Sequence, residues 1–154
     1  MKLKIDISRN ANFILALLLL HFVFFGFLCN IFQKDIGIRI LFLYQVLFSF
    51  ENFSFLSTII LFIIVFLMAF RETFFEYGIK NSIWLIPAII IQSWIWYWFI
   101  EGFDILIIFL YFARIESYIT ILSLLGIILL AAVLGVVSKI KYQEYMKRIK
   151  EVEV

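Results

Sequence analysis

Hydrophobic residues in this chain come in long unbroken runs, without the polar punctuation that a surface helix or strand needs. Residues 12–32, 53–70, 83–100 and 117–138 contain no Asp, Glu, Lys or Arg. Each run falls within the roughly 17–25 residues that carry a helix across a hydrocarbon core. Helix is the predicted state for all four, because an isolated strand would leave its backbone groups unpaired in lipid. The many β-branched Ile and Val residues do not oppose this, since burial in lipid overrides intrinsic propensity.

Two shorter apolar stretches interrupt the simple count. Residues 36–50 lie between Lys34-Asp35 and Glu51-Asn52, and residues 103–113 lie between Glu101 and Arg114. Both are too short to span comfortably, and such lengths suit interfacial or re-entrant segments. In the first, Asp35, Arg39, Gln45, Ser49 and Asn52 share roughly 140° of arc at 100° per residue. That stripe fits a helix lying in the interface or lining a protein cleft. The predicted fold class is an all-α integral membrane protein, a bundle of four transmembrane helices with two short outer segments. Six spans are the alternative.

Charge position supports four spans. With the N-terminus in the cytoplasm, the inner segments hold Lys2, Lys4, Arg9, Arg71, Lys80, Lys139, Lys141, Lys147, Arg148 and Lys150. Only Lys34, Arg39 and Arg114 fall outside, which is the bias expected of cytoplasmic loops. Both termini then come out cytoplasmic. Six spans would also keep both ends inside, but would need a turn as tight as Glu51-Asn52. The expected location is a prokaryotic plasma membrane, with an organellar membrane as the alternative. Lys2, Lys4 and Arg9 before the first run resemble a secretion signal. The run is too long for one and no small-x-small cleavage site follows, so a retained helix is expected.

Aromatic residues mark the ends of the third run. Trp94, Trp96, Tyr97 and Trp98 cluster near its outer end and Trp84 near its inner end, as in an interfacial belt. Pro87 is expected in the first turn or two of this span, where losing one backbone bond is mild. Past the fourth run, Tyr142, Tyr145, Met146, Ile149 and Val152 recur at helical spacing among basic residues. Residues 1–138 are therefore expected to form one transmembrane domain, and 139–154 a basic amphipathic cytoplasmic tail continuing the last helix.

Composition agrees with this reading. The chain of 154 residues is 66% hydrophobic, far above the roughly 45–50% of soluble domains. Mean hydropathy is +1.11. The 20 Phe residues, with abundant Ile, follow from AT-rich codon usage and need no special role. A net charge of +2 gives no reason to expect nucleic acid as a partner. The single cysteine, Cys29, excludes an intrachain disulfide and paired-thiol chemistry.

Candidate chemistry is sparse. His21 and Gln92 fall near the centres of the first and third runs, where a polar side chain is costly unless paired, so each is expected to face another helix. They would bond each other if those helices touch. Ala131 and Gly135 form a small-xxx-small pair suited to close helix approach. On the outer side stand Arg39, Gln45, Glu51, Glu101, Asp104 and Arg114. Glu101 and Asp104, at i and i+3, are a possible cation site, though such carboxylates more often cap a helix. No Ser–His–Asp arrangement, phosphate-cradling glycine loop or HExxH motif occurs. No catalytic residue, metal or cofactor is expected.

Three function classes remain. The first is a non-enzymatic structural or accessory subunit of a larger membrane complex, with membrane lipids and other subunits, or further copies of itself, as partners. The second is a small oligomeric transporter or channel for an ion or small solute, with His21, Gln92 and the outer polar stripe along its path. The third is a lipid-modifying enzyme using Glu101, Asp104 or Arg114.

Overall fold

The computed structural model describes residues 7–29, 42–48, 54–72 and 74–152. Among these, all regular structure is helical. Helix α1 (Ile7–Leu19) runs into a π-helical segment, Leu20–Cys29. Then come α2 (Phe42–Phe48), α3 (Ser54–Arg71), α4 (Phe75–Glu101), α5 (Leu106–Phe112) and α6 (Ile115–Val152). Two helices, at Glu76–Glu101 and Ile115–Lys150, are long and apolar enough to cross a membrane. Asn10–Gly26 and Leu56–Arg71 are shorter apolar helices. Helix α3 packs along α6, and α4 closes against both. The α1–π unit leans on α3 and α4, α2 on α3 and α6, and α5 on α6.

The apolar runs contain no polar face to say which side turns inward, so the packing itself must show it. On α3 the buried positions are Ser57, Leu61, Ile64, Val65, Met68 and Ala69, which recur every three to four residues as one helical face requires. Leu56, Ile59, Ile63 and Leu67 occupy the other side and are exposed. Helix α6 behaves alike. Ser117, Thr120, Leu124, Ile128, Ala131, Ala132 and Val136 are buried, while Leu122 is 70% and Leu130 59% exposed. The inward faces therefore mix small and hydroxyl-bearing residues with aliphatics, and the outward faces carry large aliphatics as well. A water-soluble domain would place polar side chains on the outward side instead.

The small residues set how closely α3 and α6 approach. A Cβ at Gly135 would lie 2.6 Å from the Phe66 carbonyl oxygen, 3.1 Å from Ala69 Cβ and 3.2 Å from Phe70 N. The first contact is with backbone, which cannot swing aside. Ala131, one turn earlier, is fully buried on the same face. The small pair read from the sequence is thus the point of closest approach, with Ala69 of α3 completing it.

Polar groups pin the end of the bundle where α3 turns into α4. Glu72 is buried there, and its Oε1 accepts a 3.0 Å hydrogen bond from Asn81 Nδ2. Lys139 Nζ donates to the Glu72 backbone oxygen, tying the turn to α6. Elsewhere three interior hydroxyls return to their own helices. Ser82 donates to Gly78 O at 2.7 Å, Ser93 to Ile90 O at 2.6 Å and Thr120 to Glu116 O at 2.8 Å. Each hydroxyl is satisfied without a partner helix.

Two expectations need correction. Helix α4 begins at Phe75, well before residue 83, so Pro87 lies about three turns inside the helix rather than near its start. The polar residues Glu76, Lys80 and Asn81 extend the helix past the end of the apolar run, which a hydropathy boundary cannot register. The first run is not uniformly α-helical, because from Leu20 it widens into π geometry. Within the stretch 103–113, Leu106–Phe112 is helical and follows a turn at Gly102 and Asp104. Residues 30–41 and 49–53, which hold Arg39 and Glu51, lie outside the described residues. Helix α6 continues unbroken to Val152.

Replacing Gly135 with Ala should separate α3 from α6 and cost roughly 1–3 kcal/mol, as overpacking does. Gly126 offers the control, for its Cβ would meet nothing within 4 Å. Gly126→Ala should instead be neutral or stabilising by up to about 1 kcal/mol through helix propensity. Thermal melts of the purified variants check the opposite signs.

Candidate functional site

Gln92 and Trp96 of α4 meet the first helix where it changes geometry. Gln92, on α4, donates from Nε2 to the Leu17 carbonyl oxygen at 3.3 Å. Leu17 lies one turn before His21, so the helices do touch, and the amide bonds backbone rather than the imidazole. The distance is long for an N–H···O bond and marks a modest one. Gln92 Oε1 is buried without a hydrogen-bond partner among the described residues.

The imidazole packs instead against Trp96, one turn beyond Gln92 on the same face of α4. The two ring centroids are 5.3 Å apart and tilted by 40°. The indole also covers Gly26. A Cβ there would lie 3.5 Å from Trp96 Cζ2 and only 3.2 Å from the His21 carbonyl oxygen. His21 and Gly26 are five residues apart, the spacing that a π turn brings together. Gly26 thus fits the widened turn against the indole, and Trp96 bridges both of its ends. Trp96 Nε1 is buried and unpartnered among the described residues.

Trp94 faces a second neighbourhood. Its ring meets Tyr111 edge-on at 5.7 Å and Phe112 at 6.0 Å, which seats α5 against α4. Trp94 Nε1 is buried without a partner among the described residues, while Tyr111 Oη and Ser117 Oγ are buried near each other but outside good hydrogen-bond geometry. Burial pushes the Tyr111 phenol up to about 12, while the Ser117 hydroxyl pulls the other way. The tryptophans expected as one belt therefore divide. Trp94 and Trp96 pack between helices, and Trp98 turns toward the loop that follows α4.

That loop holds the outer candidates. Trp98 Nε1 donates to the Asp104 backbone oxygen at 2.8 Å, and Asp104 Oδ1 accepts from Leu106 N at 2.8 Å. Asp104 thus makes an Asx-type turn, its side chain accepting from the backbone two residues on where α5 begins. Gly102 separates it from Glu101, with φ 96 and ψ 165, a conformation essentially confined to glycine. Glu101, Asp104 and Arg114 are all exposed. Tyr118 Oη donates to Phe112 O at 2.9 Å and ties α6 back onto α5. Among the described residues no three His, Cys, Asp or Glu side chains converge to hold a metal ion. Of the remaining candidates, Gln45 falls within α2, while Arg39 and Glu51 lie outside the described residues.

The structure brings together His21, Gln92 and Trp96 in one place, and Asp104 and Trp98 in another. It leaves Arg114 apart from both. Sequence reading missed the part played by Trp96 and Gly26. The available signal was spacing, since Gln92 and Trp96 lie four apart on α4, as His21 and Gly26 lie five apart on the facing segment. Comparisons with known protein families, with curated proteins and with solved structures found no match.

Two outcomes follow from this geometry. Gln92→Leu should change stability by less than about 1 kcal/mol, because the lost bond is of the size typical between helices in lipid and the unpartnered oxygen goes with it. Chemical denaturation in detergent measures this. In an alkaline titration, Tyr111 should ionise last, near pH 12, and Tyr111→Phe should remove that late component of the phenolate absorbance. Both folded and unfolded forms are neutral here below the ordinary phenol value of about 10. Only above it does the unfolded state gain, so this group lowers stability as the pH rises from there through about 12.

Proposed function

We propose that this chain is a multi-pass integral membrane protein with four spans and both ends in the cytoplasm, acting as a structural or accessory subunit of a larger membrane complex. The observation that carries the membrane reading is the large apolar surface on the outward faces. Leu18, Phe22, Ile59, Ile63, Ile91, Leu122 and Leu130 point outward and are each between 47% and 70% exposed. Water would not tolerate so continuous an apolar surface on a soluble domain, whereas lipid is its natural solvent. Only 22% of the most apolar window of Glu76–Glu101 and 39% of that of Ile115–Lys150 is buried, far from the enclosed core helix of a soluble protein.

Four spans follow if α1 with its π-helical continuation, and α3, cross beside the two longer helices they pack against. The distribution of Lys and Arg then supports cytoplasmic ends. The accessory role is favoured by how the interior polar groups are used. Gln92, Ser82, Ser93 and Thr120 already donate to backbone carbonyls within the chain, which serves packing rather than passage. A small oligomeric transporter or channel is the second reading. It draws on the buried, unpartnered Gln92 Oε1 and Trp96 Nε1 beside His21.

The protein should stay in the membrane pellet through alkaline carbonate washing, and should leave mild detergent in fixed stoichiometry with another membrane protein. Release by carbonate contradicts the membrane reading. Purification as a stable species with no second component contradicts the accessory role. Proteoliposome flux lost on Gln92→Ala would move the assignment to transport.

A further inference from the structure

Helix α6 is longer than any bilayer requires. Its 38 residues span about 57 Å at 1.5 Å per residue, against about 30 Å of hydrocarbon. The apolar run ends at Ser138, and the helix continues to Val152. In that stretch there is no Gly or Pro, the residues at which helices bend sharply. The tail is therefore coaxial with the bundle and carries its side chains away from the lipid, not along it. Ile149 stands about 16 Å beyond Ser138, past a headgroup layer of roughly 5–8 Å.

The inward seam of α6 does not stop where its partner does. Helix α3 ends at Arg71, and the last ring contact across this seam is Phe70 with Tyr142, at 6.2 Å. Beyond it Tyr142, Tyr145, Met146 and Ile149 continue one apolar face within roughly 100° of arc. Tyr142 is 55% and Tyr145 63% exposed. Lys139 and Lys150 border this face on one side, and Lys141 and Arg148 on the other. Glu144 stands at the back. Basic residues thus flank the apolar strip on both edges.

We infer that this strip is a docking surface for an acidic amphipathic helix of a partner protein, which would lie in line with α3 and take over its place against α6. The inference rests on the membrane reading above, because the bilayer fixes how far the tail stands from lipid. Anionic lipid would suit the same charges, but its attraction fades within a Debye length of about 8–10 Å, short of Ile149 and Lys150. A partner helix reaches the whole face, burying the tyrosines at its centre while its carboxylates meet the flanking lysines and Arg148.

The test uses the full-length protein in mild detergent with two short synthetic amphipathic helices, identical in their apolar positions but flanked by Glu in one and by Lys in the other. The Glu-flanked peptide should bind, and the Lys-flanked one at least tenfold more weakly. Ile149→Ser should weaken binding about tenfold. The double variant Lys141→Glu/Arg148→Glu should reverse the preference between peptides. These positions lie outside the bundle, so unchanged helicity and melting will confirm that the variants fold. Equal binding of both peptides, or no binding, overturns the proposal. So does an environment-sensitive label at position 149 that turns apolar in nanodiscs of anionic lipid with no peptide present, which would assign the face to the membrane. Carbonate release would remove the membrane reading alone, since the peptide titration is made in detergent.

Discussion

Everything in this bundle depends on how closely α3 and α6 approach at Gly135. In lipid, apolar side chains gain nothing by leaving one apolar neighbour for another, so helices associate through packing and interhelical hydrogen bonds. Close packing requires that something small stand at the crossing. Gly135, Ala131 and Ala69 supply it, and α4 then closes on the pair they form. The large residues on the outward faces follow from the same constraint, because positions that never meet a helix are free to be Ile, Leu or Phe.

Interior polarity serves this packing. Ser82, Ser93 and Thr120 are small and bond within their own helix, so these hydroxyls make room without leaving their donors stranded. Gln92 is different, since it reaches across to Leu17 and leaves one oxygen without a partner. The π-helical stretch beginning three residues after Leu17 is where the bundle departs most from regular geometry, and Trp96 fills the widened turn. At the opposite end, Glu72, Asn81 and Lys139 fasten the turn between α3 and α4 to the base of the tail.

The sequence made helices and approximate boundaries legible, because runs without charge have few other solutions. It also singled out Ala131 and Gly135, and the continuation of the last helix into the tail. Which face turns inward was harder to read. With large apolar residues on every side, hydropathy has no angular signal, and the inward faces are marked instead by Ser57, Ser82, Ser93, Ser117 and Thr120 at helical spacing. The π geometry was not legible, because it depends on an indole from another helix meeting Gly26. The start of α4 was misplaced for a simpler reason. Hydropathy reports where the apolar run begins, whereas Glu76, Lys80 and Asn81 are helical without being apolar. At the outer side the i, i+3 spacing of Glu101 and Asp104 gave no sign of the turn at Gly102, after which Asp104 Oδ1 accepts from Leu106 N.

The most direct test of this account reads the surroundings of its outward faces. Spin labels placed singly at Ile63, Ile91 and Leu130, with Cys29 replaced, would be examined in proteoliposomes for collision with oxygen, which concentrates in lipid, and with a nickel chelate, which stays in water. The account predicts high oxygen and negligible nickel accessibility at all three, with labels at Tyr145 showing the reverse. Nickel accessibility at Ile63, Ile91 and Leu130 matching that at Tyr145 would contradict it.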